Sequence, residues 1–233
     1  MSGKPNTQNF WINIYILVAI AHIMSIVINH DTLNMMTKYA LMPVLFIYVL
    51  TDSSATLNMR MPLLIAVFFS WVGDVFLMFT DRDPLYFMLG LGAFLCAHIS
   101  YIVAFRKWRT AGISHRWQSV FALIIMAYAT GLCLVVYPGL GDMRIPVIVY
   151  AVVIAAMSIT ANSRYKRTSA YSYAFVLAGA LIFVASDSMI AWSTFYRPFA
   201  LSGLLIMITY IIAQYLIITG IIQHARIQPE HAG

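Results

Sequence analysis

Two of the chain's eight acidic side chains stand where a carboxylate is costly. Asp74 lies within "FFSWVGDVFLMF" (68–79) and Asp187 within "AGALIFVASDSMIAW" (178–192). The other six, Asp31, Asp52, Asp81, Asp83, Asp142 and Glu230, lie in polar connectors or the tail. A carboxylate at the centre of a membrane helix costs about 2.5–3.5 kcal/mol on insertion scales, so two of them need a chemical reason. In a shared site of low dielectric only one of the two ionises cheaply, which leaves one acid and one carboxylate. Such a pair is a general acid and a general base in one place, suited to hydrolysis at carbon. The same pair would also carry protons or hold a cation in a transporter, and the two residues leave both readings open.

Other polar residues sit deep in apolar sequence. Lys38 lies one turn inside the outer end of the second apolar run. It either snorkels to the headgroups or serves as a cationic partner for the aspartates or a lipid phosphate. His98 is in the fourth run, Tyr210 and Gln214 are one turn apart in the eighth, and His22 and Asn29 are in the first. An isolated intramembrane histidine such as His22 ordinarily closes an interhelical hydrogen bond. No HxxxH or HxxE pattern is present, His115 is in a connector, and His224 and His231 are in the tail, so no metal centre is expected. Serine hydrolysis is disfavoured: there is no GxSxG, and Ser186 has no adjacent histidine. An intramembrane aspartyl protease is disfavoured too, because Trp71 stands where Gly-x-Gly-Asp needs its first glycine and no Pro-Ala-Leu follows.

The elements that must position these residues follow from composition. The 233 residues are 62% hydrophobic and 9% charged, with mean hydropathy +0.84. A water-exposed surface needs far more charge, so the chain reads as an all-α, polytopic membrane helix bundle forming a single transmembrane domain over 1–233. Eight spans are expected, at 10–30, 33–51, 61–80, 85–105, 118–137, 145–161, 170–192 and 198–223. The run from Phe10 has no small-residue cleavage site after it and reads as a retained span. Pro62, Pro84, Pro138, Pro146 and Pro198 fall near span ends, while Pro43 lies inside the second span and is expected to kink it. Short connectors make consecutive spans antiparallel neighbours.

With the N-terminus inside, inner segments hold ten basic residues and outer segments four, which predicts both termini cytoplasmic. Asp74 and Asp187 then lie about six residues short of the outer ends of spans three and seven, roughly 9 Å deep in each case. The net charge of +6 is scattered through connectors, so nucleic acid is not an expected partner. Cys96 and Cys133 lie in apolar runs and read as packing residues. The expected location is an integral, multi-pass one, in the inner (plasma) membrane if the source is bacterial. Homo-oligomerisation is left open.

Four motifs carry a resemblance. "SWVGDVFL" fits Ser-x-x-Gly-Asp-x-x-Leu, and "GLGAFLCAHISYIVAF" supplies Gly, Phe, His, Tyr and Phe at the corresponding intervals. "AGALIFVASDSMIAW" gives Gly-Ala, Phe and Ser-Asp, and "TYIIAQYLIITG" gives Thr-Tyr and Gln. Together they resemble the YhhN-type lysoplasmalogenase family of eight-span membrane proteins, over nearly the whole chain. The resemblance implies hydrolysis of the vinyl ether of lysoplasmalogens to a fatty aldehyde and a glycerophospho-head-group, without metal or organic cofactor. The implied partners are a lysophospholipid substrate and membrane lipids. The family's aspartates map onto Asp74 and Asp187, and its His, Tyr and Gln onto His98, Tyr210 and Gln214. Ser70, Gly73 and Ser186 are the accompanying motif residues, with Gly73 allowing close approach of a helix or the lipid. Lysine often directly precedes proline in the family's second span, whereas here "YALM" separates Lys38 from Pro43. Phe68, Phe69, Trp71, Phe76 and Met78 would line a tail channel.

Overall fold

Each apolar run is long enough to satisfy its own backbone only as a helix, because hydrocarbon offers no hydrogen-bond partners. The computed structural model describes residues 7–111 and 116–227. Eight helices follow in order: α1 (Thr7–Val27), α2 (Asp31–Thr51), α3 (Leu57–Leu77), α4 (Pro84–Lys107), α5 (Arg116–Val136), α6 (Arg144–Asn162), α7 (Ala170–Phe195) and α8 (Ser202–Ile227). All eight are long and apolar enough to cross a membrane, and the described residues contain no strand. The chain is an integral, multi-pass membrane protein.

The helix ends depart from the hydropathy boundaries where local chemistry overrides it. α1 stops at Val27, because Asn29 adopts φ 53° and His30 caps the next helix, its Nδ1 accepting from Leu33 N at 3.2 Å. α3 starts at Leu57, so Pro62 is its sixth residue and lies inside the helix, contrary to the expectation that it marks an end. α8 starts only at Ser202, after Pro198 and after Leu201 at φ 61°. Pro84 opens α4, Pro138 lies in a short 3-10 turn, and Pro146 is in the first turn of α6.

Pro43 sits inside α2. It has no N–H, so the carbonyl of Tyr39, four residues back, loses its helical donor. The indole Nε1 of Trp71 on α3 donates to that carbonyl at 3.1 Å. Trp71, an expected lining residue, is therefore also a cross-helix donor that joins α3 to α2. A second polar tie joins α1 to α2. Thr37 gives its hydroxyl hydrogen to Leu33 O at 2.6 Å, so its oxygen accepts from His22 Nδ1 at 2.9 Å. His22 thus closes the interhelical bond expected of it.

The chain divides into two compact units, one reaching Ser100 and the other starting at Tyr101, with the division inside α4. In the first, α1 packs on α2 and α2 on α3; in the second, α5, α6, α7 and α8 pack in sequence order. The α7–α8 contact uses small residues: a methyl added at Gly179 would lie 2.9 Å from Ala213 O and 2.8 Å from Ile217 Cγ1. Both cysteines are free.

The Pro43–Trp71 compensation predicts coupling. Trp71→Phe leaves the Tyr39 carbonyl without its donor and is expected to lower stability by about 1–3 kcal/mol. Pro43→Ala restores a helical N–H, so the double variant should recover at least half of that loss. Denaturation in detergent across the double-mutant cycle measures this, and simple additivity would count against a shared partner.

Candidate functional site

In the first unit, α3 presents Ser70, Gly73 and Asp74 at spacings of three and four residues, which places them on one face. All three are buried, Asp74 with 4% of its surface exposed. The face can pack tightly because position 73 has no side chain. A Cβ there would lie 2.6 Å from Cδ2 of the Phe94 ring on α4. One turn earlier on α4, a Cβ at Gly90 would meet Leu77 at 2.8 Å. On α4, His98 follows Phe94 by one turn. His98 is fully buried. The structure therefore groups Ser70, Gly73 and Asp74 on one buried face of α3, with the Phe94 ring of α4 against Gly73.

Lys38 is half-buried on α2, directly after Thr37. Below it, α2 and α3 enclose an apolar groove of about 280 Å³ lined by Met42, Phe46, Val67, Phe68 and Trp71 among others. Of the expected tail-channel residues, Phe68 and Trp71 line this groove, whereas Phe69, Phe76 and Met78 do not.

In the second unit, three consecutive residues of α7 bond to three different helices. Ser186 Oγ donates to Ile206 O on α8 at 3.1 Å. Asp187 Oδ2 accepts from the hydroxyl of Tyr150 on α6 at 2.5 Å. Ser188 Oγ accepts from Tyr128 OH on α5 at 2.9 Å. Asp187 is half-buried and Tyr150 buried. Ser186 is a tie to the backbone of α8.

Tyr210 packs its ring edge-on to Phe183 of α7, centroids 5.6 Å apart, and is buried. Gln214, one turn on, is fully buried and takes a hydrogen bond at Oε1 from Tyr101 OH. Tyr101 follows His98 by three residues on α4. Measured from helix ends the aspartates differ: Asp74 is three residues before Leu77, and Asp187 eight before Phe195. Among the described residues no three His, Cys, Asp or Glu side chains come together as metal ligands.

The sequence reading missed Tyr150. Its signal was position: a tyrosine within an apolar span, away from the interface where its ring is usual, needs an acceptor for its hydroxyl. Tyr101 lay in a quoted motif without a role, and its partner could not be read from one strand of sequence.

Residues 33–221 match the model of the YhhN family, a stretch that contains every residue from Lys38 to Gln214 discussed above. The chain belongs to the YhhN family. Among its curated relatives, lysoplasmalogenase TMEM86B of Homo sapiens is 32% identical over 74% of this chain and 67% of its own length. Lysoplasmalogenase TMEM86A of Homo sapiens is 33% identical over 72% of this chain and 67% of its own. The lysoplasmalogenase of Mycobacterium tuberculosis is 32% identical over 58% of this chain and 50% of its own. The matched stretch thus spans about two thirds of the human relatives and half of the mycobacterial one. No solved structure matches this YhhN chain.

The α3–α4 seam yields a test of packing beside Asp74. Gly73→Val drives a branched side chain into the Phe94 ring and is expected to destabilise by about 1–3 kcal/mol. Adding Phe94→Ala opens the space and should return most of that loss in thermal unfolding of the purified protein. A double variant no more stable than Gly73→Val would show that the seam does not depend on this contact.

Proposed function

We propose that the chain hydrolyses the vinyl ether of lysoplasmalogens, releasing a fatty aldehyde and a glycerophospho-head-group, and that Asp74 and Asp187 supply the acid–base chemistry. The observation that carries this reading is Asp187 within an apolar span, its Oδ2 accepting from the Tyr150 hydroxyl. Asp74, buried at the α3–α4 seam, supplies the second carboxyl. Support also comes from the relatives, whose names are lysoplasmalogenases.

The chemistry asks for little more. A carboxylic acid gives a proton to the β-carbon of the enol ether, and the π electrons form the new C–H bond. The α-carbon becomes an oxocarbenium ion, as in glycoside cleavage, and a carboxylate nearby lowers its energy. Water adds at that carbon while a carboxylate takes its proton. The resulting hemiacetal loses the glycerol oxygen as an alcohol and leaves the aldehyde. The balance is one vinyl ether plus one water to one aldehyde plus one alcohol. No oxidant enters.

Tyr150 fixes the direction of Asp187, and His98, Tyr210 and Gln214 orient water or the glycerol hydroxyl. The α2–α3 groove takes hydrocarbon, which suits a single-chain lipid whose tail stays in the apolar phase. Lys38, near the polar end of α2, is placed for a phosphate.

Purified protein incubated with lysoplasmenylethanolamine or lysoplasmenylcholine tests the reading through aldehyde release. Asp74→Asn and Asp187→Asn are each expected to lower turnover about 10²–10⁴-fold. Tyr150→Phe, which keeps the ring, should lower it roughly ten- to a hundredfold through loss of orientation. Full activity in both aspartate variants would remove the acid–base assignment. Absence of aldehyde from folded wild type would favour a proton-coupled transporter or lipid-binding protein that uses the same carboxyls.

A further inference from the structure

A hydrogen bond that only ties two membrane helices together belongs between them, out of contact with the hydrocarbon. The His22–Thr37 and Tyr101–Gln214 bonds are of that kind, with both partners buried in each. The bond from Tyr128 OH to Ser188 Oγ is exposed instead, and Tyr128 keeps 47% of its surface open. A tyrosine at the membrane surface anchors in the headgroup region, but Tyr128 is not at the surface. It stands eight residues before Val136, the end of α5, about 12 Å in at 1.5 Å per residue. Ser188 is seven residues before Phe195, the end of α7, and its Cα is about 3.8 Å from that of Asp187. An open polar pair thus sits deep in an apolar region, directly beside a carboxyl.

The hydrogens of this pair are already committed. Tyr128 gives its hydroxyl hydrogen to Ser188 Oγ at 2.9 Å, and Ser188 gives its own to Val184 O at 2.7 Å. What remains is lone pairs, on the phenol oxygen and on Oγ. The pair is therefore an acceptor site. It receives a hydrogen from a hydroxyl or an N–H, and it has none to give a carbonyl, an ether or a phosphate without breaking one of those bonds.

Building on the hydrolysis proposed above, we infer that Tyr128 and Ser188 bind the central glycerol hydroxyl of the lysolipid, accepting its hydrogen while Asp187 faces the vinyl ether. In that lipid only an oxygen and two carbons separate the α-carbon of the vinyl ether from the hydroxyl oxygen. Neighbouring residues of one helix therefore reach both. A lipid acylated at the central carbon presents an ester there, with no hydrogen to donate, and its entry would cover the two oxygens without giving them a partner. The pair thus selects lysolipid over its acylated counterpart. A headgroup ammonium is a donor as well, but it belongs at the membrane surface. Water is left to His98, Tyr210 and Gln214. Tyr128 and Ser188 are binding residues, and neither carries a proton of the reaction.

The test is calorimetric titration of the full chain in detergent with two lipids that are not cleaved. One is an alkyl lysophosphocholine with a saturated ether; the other is its analogue with hydrogen in place of the central hydroxyl. Choline has no N–H, so the central hydroxyl is the one donor that differs. Wild type is expected to bind the hydroxyl form about three- to tenfold more tightly. Tyr128→Phe, which keeps the ring, should lose about half of that preference on a logarithmic scale, and Tyr128→Phe with Ser188→Ala should lose nearly all of it. Tyr137→Phe, at the far end of the same apolar run, should keep it. Equal affinity of wild type for the two ethers overturns the inference, as does an undiminished preference in the double variant. Equal weakening toward both ethers in the variants overturns it too, and makes the bond a helix tie alone. Because neither ether is cleaved, failure to release aldehyde from lysoplasmenylcholine is a separate result, which counts against hydrolysis and not against recognition of the hydroxyl.

Discussion

A polar group inside hydrocarbon has only the protein to bond to, and most of the side-chain geometry in this chain answers to that constraint. Pro43 strips a donor from the Tyr39 carbonyl, and a tryptophan on the next helix supplies one. His22 meets Thr37, Gln214 meets Tyr101, and Ser186 reaches the carbonyl of Ile206. Each bond satisfies a group that water would otherwise serve, and each also fixes the register of two helices. Polar residues in these spans therefore act as packing instructions before they act as reagents.

The two carboxyls sit in different local settings. Asp74 lies on a face that is buried and kept narrow by the absence of a side chain at position 73. Asp187 lies on a helix whose polar neighbours are all committed to other helices, and a tyrosine holds one of its oxygens. A reaction that places positive charge on carbon for a moment, and needs water only once, fits low-dielectric surroundings of this kind. Basic side chains are concentrated elsewhere in the sequence, around the buried Arg164.

Hydropathy made eight spans legible, because twenty apolar residues admit one structure in a bilayer. It misplaced the ends of α1, α3 and α8, where a capping His30, an interior Pro62 and a left-handed Leu201 decide the boundary by local bonding. Asp74 and Asp187 stood out in the sequence through their cost. His22 was legible as an interhelical tie because few alternatives are open to an isolated buried imidazole. Tyr150 was not legible, since tyrosine is an ordinary residue in a membrane helix and its acceptor lies 37 positions away. Trp71 was read by size as lining, and its N–H became informative only once Pro43 was placed beside it. Arg164 was counted for topology, and one residue in a basic connector gives no sign that it is buried.

The triplet Ser186-Asp187-Ser188 bonds to α8, α6 and α5 in turn. Successive residues of a helix leave the axis about 100° apart, so the three bonds grip α7 from three sides. A roll of the helix that eased one would break another, and α7 is keyed against turning as a splined shaft is. The azimuth of the carboxylate is thereby set through its sequence neighbours as well as by Tyr150. Two plain serines act as angular stops for the acid between them.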